Sequence, residues 1–142
     1  MNERFVLDAS LAVNWCFEHE CNNAAIAILD GFAQGSSALV PSLWLWEINN
    51  ALLMAQRCGN LNNLKRQQQI AFLRKLPINI DEDAHQQAWG ETTNLAVRHD
   101  LTVYDAAYLE LAVRQGLPLG SLDRNLRKAA KKIGITCLPE KF

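Results

Sequence analysis

Short apolar runs alternate with longer stretches of helical periodicity along this chain. Phe5-Val6-Leu7 reads as a strand, and after Asp8-Ala9-Ser10 a helical pattern begins at Leu11 with Ser10 as its N-cap. Residues 22–32 give a second helix, ended by Gly31 or Gly35, and Ala38-Leu39-Val40 a short buried strand stopped by Pro41. A strong helix over 42–57 opens on Pro41-Ser42 and closes with Gly59 at the C′ position. Another over 63–76 stops before Pro77, and Ile78-Asn79-Ile80 is a brief strand. Residues 81–98 return to helix, with Asp81, Glu82 and Asp83 favouring its N-terminal dipole. The remainder reads as helix 104–115 closed by Gly116, strand 119–122, helix 124–133 and strand 135–138.

Apolar strands alternating with helices imply a parallel sheet covered on both faces, a three-layer α/β/α architecture. No repeat or linker interrupts it, so residues 1–142 are expected to form one domain, long enough to bury a core without staples. In such sheets ligands sit outside the carboxyl ends of the strands. Asp8 ends the first strand and Asp123 lies just past the fourth, which places both at a shared site.

Four carboxylates stand where an apolar element should carry another hydrophobic residue. They are Asp8 after Phe5-Val6-Leu7, Glu47 after Leu43-Trp44-Leu45-Trp46, Asp105 within Val103-Tyr104-Asp105-Ala106, and Asp123 after Leu122. At about 100° per residue Glu47 shares a sector with Leu43, Trp44, Ala51 and Met54, and Asn50, three residues on, can reach the same pocket. Asp105 falls between Tyr108, Leu109 and Ala112, with Glu110 and Arg114 on the opposite, solvated side; a helix cap is the competing role for Asp105. Burying an ionised carboxylate without a partner is costly, and no matching set of buried cations is visible in the sequence. Clustered acids repel one another unless a hard divalent ion neutralises them, and Mg²⁺ or Mn²⁺ suits such oxygen ligands. The pattern points to a metal-dependent enzyme.

Composition narrows this further. With 49% apolar and 20% charged residues and a net charge of −1, the chain is an ordinary globule, and any polyanion must be held by a local patch or a bound metal. Cys16, Cys21, Cys58 and Cys137 form no CxxC pair or zinc spacing and are expected to be reduced packing residues. No run approaches a membrane span and no signal-peptide pattern opens the chain, so a cytoplasmic protein is expected.

The segments Val6-Leu7-Asp8-Ala9-Ser10, Pro41-Ser42-Leu43-Trp44 with Glu47 and Asn50, Leu101-Thr102-Val103-Tyr104-Asp105-Ala106-Ala107-Tyr108, and Leu122-Asp123-Arg124 together resemble the PIN-domain family. The likeness is greatest to its small members, the VapC-type toxins of toxin–antitoxin pairs, and spans essentially the whole chain. It implies a Mg²⁺- or Mn²⁺-dependent endoribonuclease on a parallel sheet of about five strands. Its acidic quartet maps onto Asp8, Glu47, Asp105 and Asp123, and its polar helpers onto Ser10 and Asn50. It also implies a homodimer and a cognate antitoxin whose tail fills the active-site groove. Asp8 and Asp105 are expected to hold the metal directly, with Glu47 and Asp123 holding it or its waters. Two positions depart from the family pattern: Asn125 replaces a frequent further acid, and Asp100 replaces a common glycine, here expected on a solvated turn.

Arg124, Arg127, Lys128, Lys131 and Lys132 form a basic stripe opposite Leu126, Ala129, Ala130 and Ile133, either a solvated face or an RNA-backbone contact. Trp15, Trp44, Trp46 and Trp89 could stack on unpaired bases, but core or dimer packing is the preferred reading, with Trp46 the best candidate for an exposed contact; His19, His85 and His99 take surface or helix-end roles. The apolar positions around Leu64, Ile70, Phe72 and Leu73 suit a partner as readily as the core. Three rival functions lack their residues or leave the quartet unexplained. A phospho-receiver needs paired acids after the first strand, where Ala9 follows Asp8. An aspartyl phosphatase needs D-x-D, where Ser10 stands. A non-catalytic PIN-like scaffold has no use for a complete quartet.

Overall fold

A computed structural model of the chain describes residues 3–17 and 21–142; His19 lies outside them. Five strands, β1 (Arg4–Leu7), β2 (Ser37–Pro41), β3 (Ile78–Asp81), β4 (Leu119–Gly120) and β5 (Cys137–Leu138), form one sheet in the order β3-β2-β1-β4-β5. Every pairing is parallel, with Val6 opposite Leu39 on one side and Leu119 on the other. The seven α-helices among the described residues are α1 (Ala9–Cys16), α2 (Asn23–Gly31), α3 (Leu43–Arg57), α4 (Asn63–Arg74), α5 (Glu91–His99), α6 (Val103–Gln115) and α7 (Arg124–Lys132). α1 packs against α2 and α3, and α3 against α4, while α5 and α7 pack on α6, which lies against β1, β2 and β4. This is the expected three-layer arrangement.

Strand order positions the site. β1 passes to β2 on one side and has β4 on the other, so the connections diverge at its carboxyl end and leave a crevice there. Phe5, Val6 and Leu7 are buried on both sheet faces, and the strand gives way to the equally buried Asp8. Gly120 lets β4 lie close to this strand, because a Cβ there would stand 3.0 Å from the Phe5 ring and 3.1 Å from Leu11.

Several boundaries differ from the sequence reading, each for a local reason. α1 begins at Ala9, with Asp8 in the N-cap position; Ser10 is not a cap, and its hydroxyl turns back to Asp8. Strand 119–122 shortens to Leu119–Gly120 because the amides of Leu122 and Asp123 bond serine hydroxyls. The last strand starts late, since Gly134 (φ 81°) closes α7 and the Ile135 amide returns to Ala130 O. The helix expected over 81–98 forms only from Glu91 onward, as α5. Asp81 ends β3, residues Ala84–Gln87 make a single 3₁₀ turn, and Gly90 adopts a non-helical conformation before α5 starts. Asp100 does sit on an exposed turn, at φ 54°, the left-handed conformation that aspartate accepts more readily than most residues.

The reading of Glu110 and Arg114 as solvated is also overturned. Glu110 is 3% exposed and receives Arg114 Nε at 2.8 Å, while Arg114 Nη2 reaches Asp81 Oδ2 at 2.7 Å. Arg114 is half-buried, and Arg127 (5% exposed) is a buried cation that the sequence hid. The four cysteines are free thiols, and among the described residues no helix is long and apolar enough to cross a membrane.

Candidate metal-binding acidic site

Asp8 anchors the site. It is buried, and its Oδ2 accepts two hydroxyls, Ser10 Oγ at 2.6 Å and Ser121 Oγ at 2.7 Å. Each hydroxyl is itself fixed by a backbone amide, Leu122 N to Ser10 Oγ at 2.9 Å and Asp123 N to Ser121 Oγ at 3.0 Å. The two serines thus tie β1 to the turn after β4, and both load the same carboxylate oxygen. Nothing in the sequence singles out Ser121. Within an apolar strand it reads as one more ladder residue.

The other three acids arrive on helices. Asp123 caps α7, its Oδ1 accepting Leu126 N at 3.0 Å, which satisfies one orphan amide of the first turn. Asp105 is not a cap: Thr102 fills that role, accepting Asp105 N at 3.1 Å, so the Asp105 carboxylate is left for other work. Glu47 lies half-buried beside the buried stripe Trp44-Ile48-Leu52 of α3 rather than inside it. The wholly buried Tyr108 of α6 donates its hydroxyl to Glu47 Oε1. Tyr108 therefore joins α6 to α3, a role that its place in an apolar stripe disguised.

Electrostatics links the four acids. Burial pushes the Asp8 carboxyl up to about 6 from its ordinary 3.8; the two serines oppose this, and the charges of Glu47 and Asp123 reinforce it. Asp105 rises to about 6 through burial, then through Asp123 and Asp8. Glu47 is raised by burial, lowered by Tyr108 and raised again by Asp105. The charges that disturb Asp8, Glu47 and Asp105 are those of other members of the quartet. Among the described residues no three His, Cys, Asp or Glu side chains form a ready-made metal cage. The acids sense one another without collapsing together. Such a donor set fits a small hard cation that keeps several waters and takes one or two carboxylates directly.

Asn50 is exposed a turn beyond Glu47 and, among the described residues, is not drawn into the serine network. Of the basic stripe, Arg124, Lys128, Lys131 and Lys132 border an open concavity at the surface. Arg127 lines it too but is buried and engaged: its guanidinium donates to the carbonyls of Ser121 (2.9 Å), Pro139 (2.6 Å) and Glu140 (3.2 Å), and lies over the Phe142 ring. It braces the turn that carries Ser121 and Asp123. Trp15 and Trp44 are core residues, but Trp46 and Trp89 are 72% and 99% exposed, so packing within the chain explains neither. Leu64 and Phe72 face solvent while Leu73 is buried; His85 is exposed and His99 ends α5.

The chain matches a family model described as PIN domain over residues 5–132. No curated protein matches it. Among solved structures it is similar to PAE2754 from Pyrobaculum aerophilum, at 23% identity and TM-score 0.67, covering 96% of this chain and 92% of that one. It is also similar to a chain of VapBC2 from Rickettsia felis bound to a promoter DNA fragment, at 13% identity and TM-score 0.67, covering 94% and 96%. A third likeness is to FitAcB from Neisseria gonorrhoeae, at 14% identity and TM-score 0.63, covering 96% and 97%. At these identities the likeness is one of fold.

Proposed function

The chain belongs to the PIN-domain family, and from that premise we propose that it is a Mg²⁺- or Mn²⁺-dependent endoribonuclease, the toxin of a toxin–antitoxin pair. The observation that carries this reading is the buried Asp8, fixed through one oxygen by Ser10 and Ser121 and surrounded by the charges of Glu47, Asp105 and Asp123. Asp8 and Asp105 are the proposed direct ligands, with Glu47 and Asp123 holding the ion or its waters. A bound divalent ion supplies an acidified water and offsets charge on the phosphate. The chain's own residues do the rest. Ser10 and Ser121 hold the Asp8 carboxylate in one orientation, Tyr108 does the same for Glu47, and the α7 cap keeps Asp123 Oδ1 engaged.

Cytoplasmic RNA, a tRNA or another structured RNA, is the proposed substrate, with a homodimer as the working assembly and a cognate antitoxin as its inhibitor. The VapBC2 and FitAcB likenesses support the partner assignment. Incubating the protein with pooled tRNA and rRNA, with Mg²⁺ or Mn²⁺, with chelator, and beside Asp8→Asn, tests the reading. Cleavage that needs metal and Asp8 and leaves 5′-phosphate and 3′-hydroxyl ends supports it. Metal-independent cleavage to 2′,3′-cyclic phosphate ends rules it out.

Two smaller effects belong to the same site. Tyr108→Phe removes the Glu47 hydrogen bond while keeping the ring, and should lower the rate about tenfold and raise the Mn²⁺ concentration needed for half-activity. An unchanged metal dependence would make the phenol merely structural. Replacing Arg124, Lys128 and Lys131 by glutamine should flatten the salt dependence of RNA binding, by about one unit of slope for each phosphate that these side chains neutralise. Filter binding to the Asp8→Asn protein at several salt concentrations measures it, and an unchanged slope returns the stripe to a solvated face.

A further inference from the structure

A cleft of about 220 Å³ opens between the first turns of α3 and α6 and the segment leading from the 3₁₀ turn into α5. Ala84, Ala88 and Ala107 stand around it, and these short side chains leave the space. His85 and Tyr104 form its exposed lip, Tyr104 with 61% of its surface free. Thr92, buried at 2% exposure, lines it, and the Thr92 hydroxyl has no hydrogen-bond partner. A helical threonine ordinarily gives its proton to the carbonyl four residues back. Here the nearby carbonyl Ala88 O is already taken by Thr93 Oγ1 at 2.8 Å. A buried hydroxyl left unpaired is costly, and an unexplained one marks a place for a ligand atom.

The cleft lies within one helical turn of two of the acids: lining residue Leu43 is one turn before Glu47, and Tyr104 adjoins Asp105. A group bound there would lie one turn from Glu47 along α3 and one residue from Asp105 along α6. Unpaired RNA bases are flat, stack on aromatic side chains and are read at their edges by single polar groups. Small apolar walls, an aromatic lip and one waiting hydroxyl suit that chemistry. We propose that this cleft is the subsite for one unpaired nucleobase flanking the cleaved phosphate, with Thr92 reading an edge atom and Tyr104 covering the ring. The proposal rests on the endoribonuclease reading for its substrate, not for its geometry.

Two measurements separate the cleft from that reading. In the first, RNA oligonucleotides randomised around the cut are digested by the native protein, Thr92→Val and Thr92→Ser, and the product ends are sequenced. The native protein should favour one base at one flanking position, Thr92→Val should reduce that preference about tenfold, and Thr92→Ser should keep it. An unaltered preference in Thr92→Val overturns the subsite while leaving the nuclease standing. In the second, the four nucleoside 5′-monophosphates are titrated into metal-free native and Thr92→Val protein by NMR. Selective binding that the valine abolishes supports the subsite even if no RNA is cut; equal binding of all four in both proteins overturns it. Should Thr92→Val not fold, Tyr104→Leu on the exposed lip replaces it, with KM expected to rise about tenfold at constant kcat. An unchanged KM, or a changed oligomeric state in light scattering, assigns the cleft elsewhere and ends the proposal.

Discussion

Asp8→Asn will lower RNA hydrolysis at least about a thousandfold, roughly 4 kcal/mol of lost transition-state stabilisation, and will make the metal-free protein more stable at neutral pH. Both effects have one cause. Asparagine keeps the shape and an acceptor oxygen for Ser10 and Ser121, but removes the charge that binds a cation. The sign of the stability effect follows from the folded carboxyl titrating near 6 and the unfolded one near 3.8. Below about pH 4 both states hold the proton and the folded protein suffers no penalty. Between about 4 and 6 the folded state holds more protons than the unfolded, so stability falls as pH rises. Above 6 the full cost is present, about 3 kcal/mol, on the order of 10 °C in melting temperature. Thermal unfolding of both proteins in chelator should therefore diverge as pH rises from 4 to 7. Added Mn²⁺ should raise the melting temperature of the native protein more at pH 7 than at pH 5, where protons compete for the carboxylates.

Arg114→Met carries the largest expected loss of stability, about 3–5 kcal/mol in urea unfolding at pH 7. Arg114 spans Glu110, one turn back on α6, and Asp81 at the end of β3, whose side chains are only 3% and 7% exposed. Removing the guanidinium leaves two carboxylates together with no counter-charge, and their desolvation cost remains. The double variant Glu110→Leu/Arg114→Met should recover part of the loss, because one of the stranded acids is gone. A loss below about 1 kcal/mol would mean that water screens the triad as it does a surface pair. The triad also fastens α6, which carries Asp105 and Tyr108, to the sheet. Metal affinity should therefore weaken in Arg114→Met even at temperatures where the variant stays folded.

Strands and acids are legible in the sequence because both are local signals. Phe5-Val6-Leu7 announces a buried strand, and an aspartate directly after it stands out against that background. Helices α3 and α6 likewise follow from periodicity and their glycine stops, and α7 from periodicity alone. What stays hidden depends on partners distant in the chain. Ser121 belongs to the site because Asp8 lies 2.7 Å away, 113 residues earlier. Tyr108 looks like core until Glu47, on another helix, meets its hydroxyl. Arg127 reads as part of a solvated stripe, since its position on the wheel says nothing of the carbonyls that the C-terminal segment brings to it. The late start of the helix expected over 81–98 has a similar origin: a run of acids suggests a helix start, but Asp81 is claimed by Arg114 and Gly90 breaks the path. Pattern reveals what a segment prefers, and long-range hydrogen bonds decide which polar groups it must satisfy.

That the acids together bind a divalent cation is tested most directly by calorimetric titration of Mn²⁺ into the metal-free protein at pH 7, beside Asp8→Asn and Asp105→Asn. Saturable uptake by the native chain, weakened at least about tenfold in each variant, is the expected result. No uptake, or uptake that both variants match, would contradict it.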